Sequence, residues 1–178
     1  MKFFISHSSR DRKIAEKFVD NIFCEGLGIN RLDIFCSSIE GLDVEVGRPI
    51  INTIKQKIED ADVVIFIITQ NFLKSDFCKY ELGASWIKDK RLIPITFNVA
   101  HSETGEIIRS LNTYNIQYHK HLLAIVEILI KIGNNPVSLL QINNAIKSFL
   151  KYLRKIQIKI KVKIDIDLNN KKKKNKSH

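Results

Sequence analysis

The chain opens on Lys2-Phe3-Phe4-Ile5-Ser6, a short apolar run that predicts a buried strand, followed by Ser8-Ser9-Arg10-Asp11, a polar cluster able to cap a helix. Ile14, Ala15, Phe18, Ile22 and Phe23 then recur at helical spacing until Gly26 and Gly28 end the pattern. Leu32-Asp33-Ile34-Phe35-Cys36 predicts a second strand. Behind it runs an acid-rich polar loop, Ser37 to Gly47, closed by Arg48-Pro49. Pro49 suits the first position of a helix, where its missing N–H is not needed, and Ile50, Ile54 and Ile58 carry that helix to Asp60.

Val63 to Thr69 is an almost continuous apolar run, the pattern of a parallel strand covered on both faces. A helix is predicted over Phe77 to Lys88, with Ser75 or Asp76 as its cap, and a strand over Leu92 to Phe97. Residues 100 to 117 look irregular apart from a short strand near Ile116, and a mostly buried helix follows from His121 to Ile132. After Gly133-Asn134-Asn135-Pro136 the pairing of Ser138 with Gln141 predicts a capping box, and Leu139, Ile142, Ile146, Phe149, Leu150 and Leu153 predict an amphipathic helix. From Ile156 to Leu168 every even position is apolar, which predicts a strand with one Lys-rich face. Asn169 to His178 has the low complexity of a disordered tail. The order is that of a flavodoxin-like, doubly wound α/β domain over residues 1–133, with a mainly parallel five-stranded sheet. A helical and amphipathic extension over 134–168 and a basic tail over 169–178 complete the chain.

Charge changes this picture little. The net charge of +10 is concentrated in residues 151–178, where eleven Lys and Arg face two Asp, leaving 18 basic and 17 acidic residues for everything before. A near-neutral domain with a basic tail argues against nucleic-acid binding. Cys24, Cys36 and Cys78 are odd in number and lack metal-ligand spacing, so free thiols in a reducing, cytoplasmic compartment are expected, with no metal site. The first residues form no secretory signal, and no run approaches the roughly 20 apolar residues of a membrane span.

In doubly wound sheets ligands bind beyond the carboxyl ends of the strands, here the loops after Ser6, Cys36, Thr69 and Phe97. There is no GxGxxG and no GxxxxGK[ST], and Ser6-His7 and Thr69-Gln70 stand where a phosphorelay receiver needs acids. The sharpest candidate is Glu81. It lies on the helix opened by Ser75, four residues after Phe77 and at the edge of an apolar stripe formed with Cys78, Leu82, Ser85 and Trp86. Burial there disfavours the charged carboxylate and makes it a candidate for acid/base or electrostatic work. Cys78 reads as a packed core residue, not a nucleophile.

Three motifs in order, Phe4-Ile5-Ser6-His7-Ser8, Gly47-Arg48-Pro49-Ile50 and Ser75-x-Phe77-Cys78-x-x-Glu81-Leu82, together resemble a bacterial TIR (Toll/interleukin-1 receptor) domain over roughly residues 1–130. The family often carries Trp where this chain has Phe77, so an aromatic is kept. The resemblance implies cleavage of the nicotinamide–ribose bond of NAD+, with Glu81 in the catalytic position and NAD+ as substrate, not as a resident cofactor. Substrate contacts are expected from Ser6, His7 and Ser8 at the first strand's end, from Arg48, and from Phe4 or Phe77 stacking on a ring. The resemblance further implies self-association through the loop Ser37–Arg48, a second subunit completing the site, and a downstream effector or sensor as partner. Antiphage defence is the implied setting, with free, cyclic or conjugated ADP-ribose as product. The alternative is a non-catalytic TIR interaction module.

Overall fold

The computed structural model describes residues 1–37, 50–133 and 137–174. Five parallel strands form one sheet in the order β2-β1-β3-β4-β5: β1 is Phe3–His7, β2 Ile34–Cys36, β3 Val63–Ile68, β4 Arg91–Thr96 and β5 Tyr114–Asn115. The longer helices are α1 Arg12–Phe18, α2 Ile50–Asp60, α3 Gln70–Leu73, α4 Asp76–Ile87, α5 Glu106–Arg109, α6 His119–Gly133 and α7 Leu139–Lys174. The first of these widens directly into π-helical turns over Val19–Gly26.

Period-two alternation along the strands divides the core in two. Phe3, Ile5, Val63, Ile65 and Ile67 pack with Ile14 and Phe18 of α1, Leu122 and Ile125 of α6, and Ile146 and Phe149 of α7. On the other face Phe4, Val64, Phe66 and Ile68 pack with Ile54 and Ile58 of α2, Phe72 of α3 and Leu82 of α4. Every residue of β3 is buried, as its unbroken apolar run predicts. Pro94 is tolerated in β4 because β5 pairs only with Ile95 and Thr96, leaving that edge open at the proline.

The extension departs from expectation. The predicted strand over 156–168 is helical, and α7 runs without interruption through residues 169–174 of the expected disordered tail. The docked stretch explains this: Ile142, Ala145, Ile146, Phe149, Leu150 and Leu153 are buried, and Phe149 meets Phe18 at 5.6 Å between ring centres. Each large apolar side chain so buried contributes about 1.5–3 kcal/mol. With the helix already nucleated, propagation adds a hydrogen bond per residue, and Leu139–Lys174 contains neither Gly nor Pro to stop it. A strand would have needed a sheet edge, and the alternating pattern alone does not provide one. Two further contacts fix this helix: Gln141 Nε2 donates to the Glu25 carbonyl in place of the expected capping box, and Tyr152 Oη donates to the Lys13 carbonyl at 3.1 Å.

Candidate functional site

Ser75 caps α4 by accepting a hydrogen bond from the Cys78 backbone N–H at 3.3 Å, and the helix so started carries Glu81 over the carboxyl end of β1. Glu81 is only 3% exposed. Ser6, on the same face of β1 as Phe4, donates its hydroxyl to Glu81 Oε2, and Ser37, one residue past β2, donates to the same oxygen at 3.4 Å. The two serines lie side by side because β1 and β2 run in register, Ile5 opposite Cys36, and the Ser37 N–H extends the ladder to the Ile5 carbonyl at 3.1 Å. Glu81 Oε1 is buried and has no hydrogen-bond partner among the described residues.

Burial pushes the Glu81 carboxyl up to about 7, against the pull of the Ser6 and Ser37 hydroxyls, which favour the anion. A carboxyl poised there exchanges its proton near neutral pH. As an anion it has one oxygen held by two hydroxyls and one buried oxygen without a hydrogen-bond partner among the described residues. That arrangement stabilises a cation by preorganised electrostatics.

The expected site residues divide sharply. Ser6 and Glu81 are in direct contact, and Phe77, four residues before Glu81 in the first turn of α4, is 38% exposed and accessible to a ligand. Ser8 is buried in the turn after β1, where its carbonyl accepts from the Asp11 N–H at 2.8 Å. His7 is not brought to Glu81. One residue on from Ser6 in the strand, it falls on the opposite face of the sheet, buried, with Nδ1 3.4 Å from the Ile5 carbonyl and its pKa lowered by burial. Phe4 presents no free face either: it is fully buried and stacked on Phe35 at 5.5 Å. Arg48 and residues 38–48 of the expected assembly loop lie outside the described residues. Burial raises the thiols of Cys36 to about 12 and Cys78 to about 11, so neither is a ready nucleophile.

Two contributions escape the motif reading. Ser37 stands in the sequence as the first residue of a loop; its place beside Ser6 at the ends of neighbouring strands is the signal that pairs them. Asp11, expected to cap the first helix, instead accepts hydrogen bonds from Thr69 Oγ1 at 2.5 Å and Asn71 Nδ2 at 2.8 Å, tying the β1 turn to the β3 turn. Thr69 in turn caps α3 by accepting from the Asn71 and Phe72 N–H groups.

Comparison with known proteins places these elements in a family. The family model described as TIR domain matches residues 3–125. An uncharacterized protein of Bacillus subtilis, YddK, is 29% identical over 86 residues, 48% of this chain and 32% of that protein. Human Toll-like receptor 2 is 34% identical over 82 residues, 46% of this chain and 10% of the receptor. The chain therefore matches a third or less of the length of these curated relatives. Among solved structures, the TIR domains of the activated Roq1 resistosome match with a TM-score of 0.46 and 15% identity, covering 84% of this chain and 83% of that one.

Proposed function

Because the chain belongs to the TIR domain family, we propose that it cleaves the nicotinamide–ribose bond of NAD+ with Glu81 as the catalytic carboxylate. The observation that carries this reading is the buried Glu81 with its Oε2 held by Ser6 and Ser37 and its Oε1 unpartnered among the described residues. Departure of nicotinamide leaves positive charge on the ribose carbon and ring oxygen. A glycosidase ordinarily pairs such a carbon with a second carboxyl that protonates the leaving group. Nicotinamide leaves as a neutral pyridine and needs no proton, so a single anion facing the developing cation suffices.

The two serine hydroxyls keep the Glu81 carboxylate fixed in one rotamer before substrate arrives, so no reorganisation is needed as charge develops. Phe77, exposed one turn earlier on the same helix, offers a ring on which nicotinamide or adenine stacks. Water attack on the ribose carbon gives ADP-ribose and a proton; attack by a group of the substrate itself gives a cyclic product. The anion is the working form, so activity rises with pH along a limb centred near the Glu81 value of about 7. Self-association raises this activity by completing the site from a second copy, and NAD+ depletion or the released signal serves antiphage defence.

Incubation of concentrated or crowded protein with NAD+, followed by chromatography of wild type and Glu81→Ala, tests the reading. Wild type is expected to consume NAD+ and the variant to be at least about a hundredfold slower, the scale of losing one preorganised electrostatic group. Equal consumption by both, or none by either under assembling conditions, ends the proposal. A second reading, a non-catalytic interaction module, has its own support in α4, where Tyr80, Trp86 and Ile87 are exposed large side chains. Under that reading Trp86→Ala and Ile87→Ala weaken association while NAD+ is never consumed.

A further inference from the structure

A second concavity lies away from Glu81. A groove of about 1330 Å³ runs along the carboxyl end of the sheet, floored by the β1 and β3 turns and walled on its far side by α7. Glu81 is not among its lining residues. The near wall carries Arg10 and Lys13, the far wall Lys155, Lys159 and Lys161. All five are exposed side chains. Asp11 is the groove's acid, and both its oxygens are already engaged by Thr69 and Asn71, so it braces the floor.

Helical spacing explains the far wall. Tyr152, Lys155, Ile156, Lys159 and Ile160 recur at three and four residues and so share one face of α7, the face turned to the groove. Cations therefore alternate with apolar surface along this wall. Tyr152 holds it in place through the hydrogen bond to the Lys13 carbonyl, which joins the two walls at one end. Opposed cations across a concave space add to a positive field and concentrate anions there. A ligand that satisfies both walls needs several negative charges to bridge Arg10 and Lys13 to Lys155 and Lys159, and a flat apolar part to lie on Tyr152 and Ile156.

We propose that this groove binds a nucleoside polyphosphate, its phosphates between the two cationic walls and its base against Tyr152 and Ile156. The ligand is bound, not cleaved, since the acid of the groove's described lining, Asp11, is held by Thr69 and Asn71. Three of its cations come from α7, which lies beyond the family match at residues 3–125, so the site is a property of this chain and independent of NAD+ cleavage.

The test is titration of the full chain with ATP, ADP, AMP and pyrophosphate by calorimetry, at two salt concentrations. ATP is expected to bind more tightly than ADP and ADP more tightly than AMP, with pyrophosphate weaker than ADP because it lacks the base. Lys155→Glu with Lys159→Glu, and separately Arg10→Glu on the other wall, should each weaken ATP about tenfold or more, equivalent to about 1.4 kcal/mol. Lys147→Glu with Lys151→Glu makes the same change in net charge on α7 away from the groove and should leave ATP affinity within about twofold. Circular dichroism confirms that each variant is folded, and the two walls give independent variants should one of them fail. Equal weakening by both lysine pairs, no weakening by the groove variants, or no ATP binding overturns the proposal. Tighter binding of a single-stranded oligonucleotide or of phosphatidylserine vesicles through the same residues overturns it as well.

Discussion

Glu81 and Asp11 are two buried carboxyls at the same end of one sheet, 3% and 7% exposed, and they do opposite things. Asp11 has an oxygen for each of two donors, Thr69 Oγ1 and Asn71 Nδ2, supplied by the turn after β3. Both donors of the Glu81 carboxyl converge on Oε2, and Oε1 is left buried with no partner among the described residues. Burial is nearly the same in the two places; distribution of hydrogen-bond donors is not. A carboxyl whose oxygens are both satisfied braces two turns. One with an unanswered oxygen has its charge disfavoured at rest and available to a cationic transition state.

The contrast predicts stability effects of opposite sign. Glu81 has a folded value of about 7 against an ordinary 4.5, so the native state holds its proton more tightly than the unfolded chain. Its contribution to stability is complete below about pH 4.5 and is lost as pH rises through about 7, a change of about 3 kcal/mol. Glu81→Gln cannot titrate, so the stability of the variant relative to wild type should climb by that amount across this window. Urea denaturation of both proteins at several pH values measures it, and a flat difference would show that Glu81 is an ordinary carboxylate.

Asp11→Ala should act the other way. It strands the Thr69 hydroxyl and the Asn71 amide at a buried junction, costing about 1–3 kcal/mol. A loss of denaturation midpoint at unchanged slope is the expected result; a neutral substitution would mean that solvent replaces the carboxylate without cost. The smallest effect belongs to Ser6→Ala, which removes one of the two donors that favour the Glu81 anion. The acid limb of the NAD+ cleavage profile should then move to higher pH, while Phe77→Ala, which touches no donor, should leave the limb in place. Identical limbs for wild type and Ser6→Ala would remove Ser6 from the electrostatics of the site.

Much of this arrangement is legible in the sequence. The all-apolar β3 run, the Ser75 cap and the position of Glu81 on the edge of its stripe are local, periodic signals, and they survive folding because one element decides each of them. Alternation along β1 also contains, in principle, the separation of His7 from Ser6, since neighbours in a strand cannot share a face. What could not be read is long-range. Asp11 meets Thr69 and Asn71 across 58 and 60 residues, and no local pattern says that a capping aspartate will be diverted to another turn. Phe4 looked suited to stacking on a ligand, yet Phe35 of the neighbouring strand already occupies that role. The segment after Ile156 differs from its predicted strand for a related reason: its conformation is inherited from the docked helix before it, not set by its own alternation.

That inheritance has a consequence of its own. Wound as a helix, an every-second-residue pattern cannot gather its apolar groups on one side, and Ile158, Val162 and Ile166 are left 64%, 51% and 53% exposed. The stretch is thus a sequence suited to cross-β pairing that is kept helical by its upstream neighbour. Fastened to the core by Phe149 and Leu153, it is a helix; cut free of that fastening by a protease between Leu153 and Ile156, the same residues would have every local reason to stack with copies of themselves.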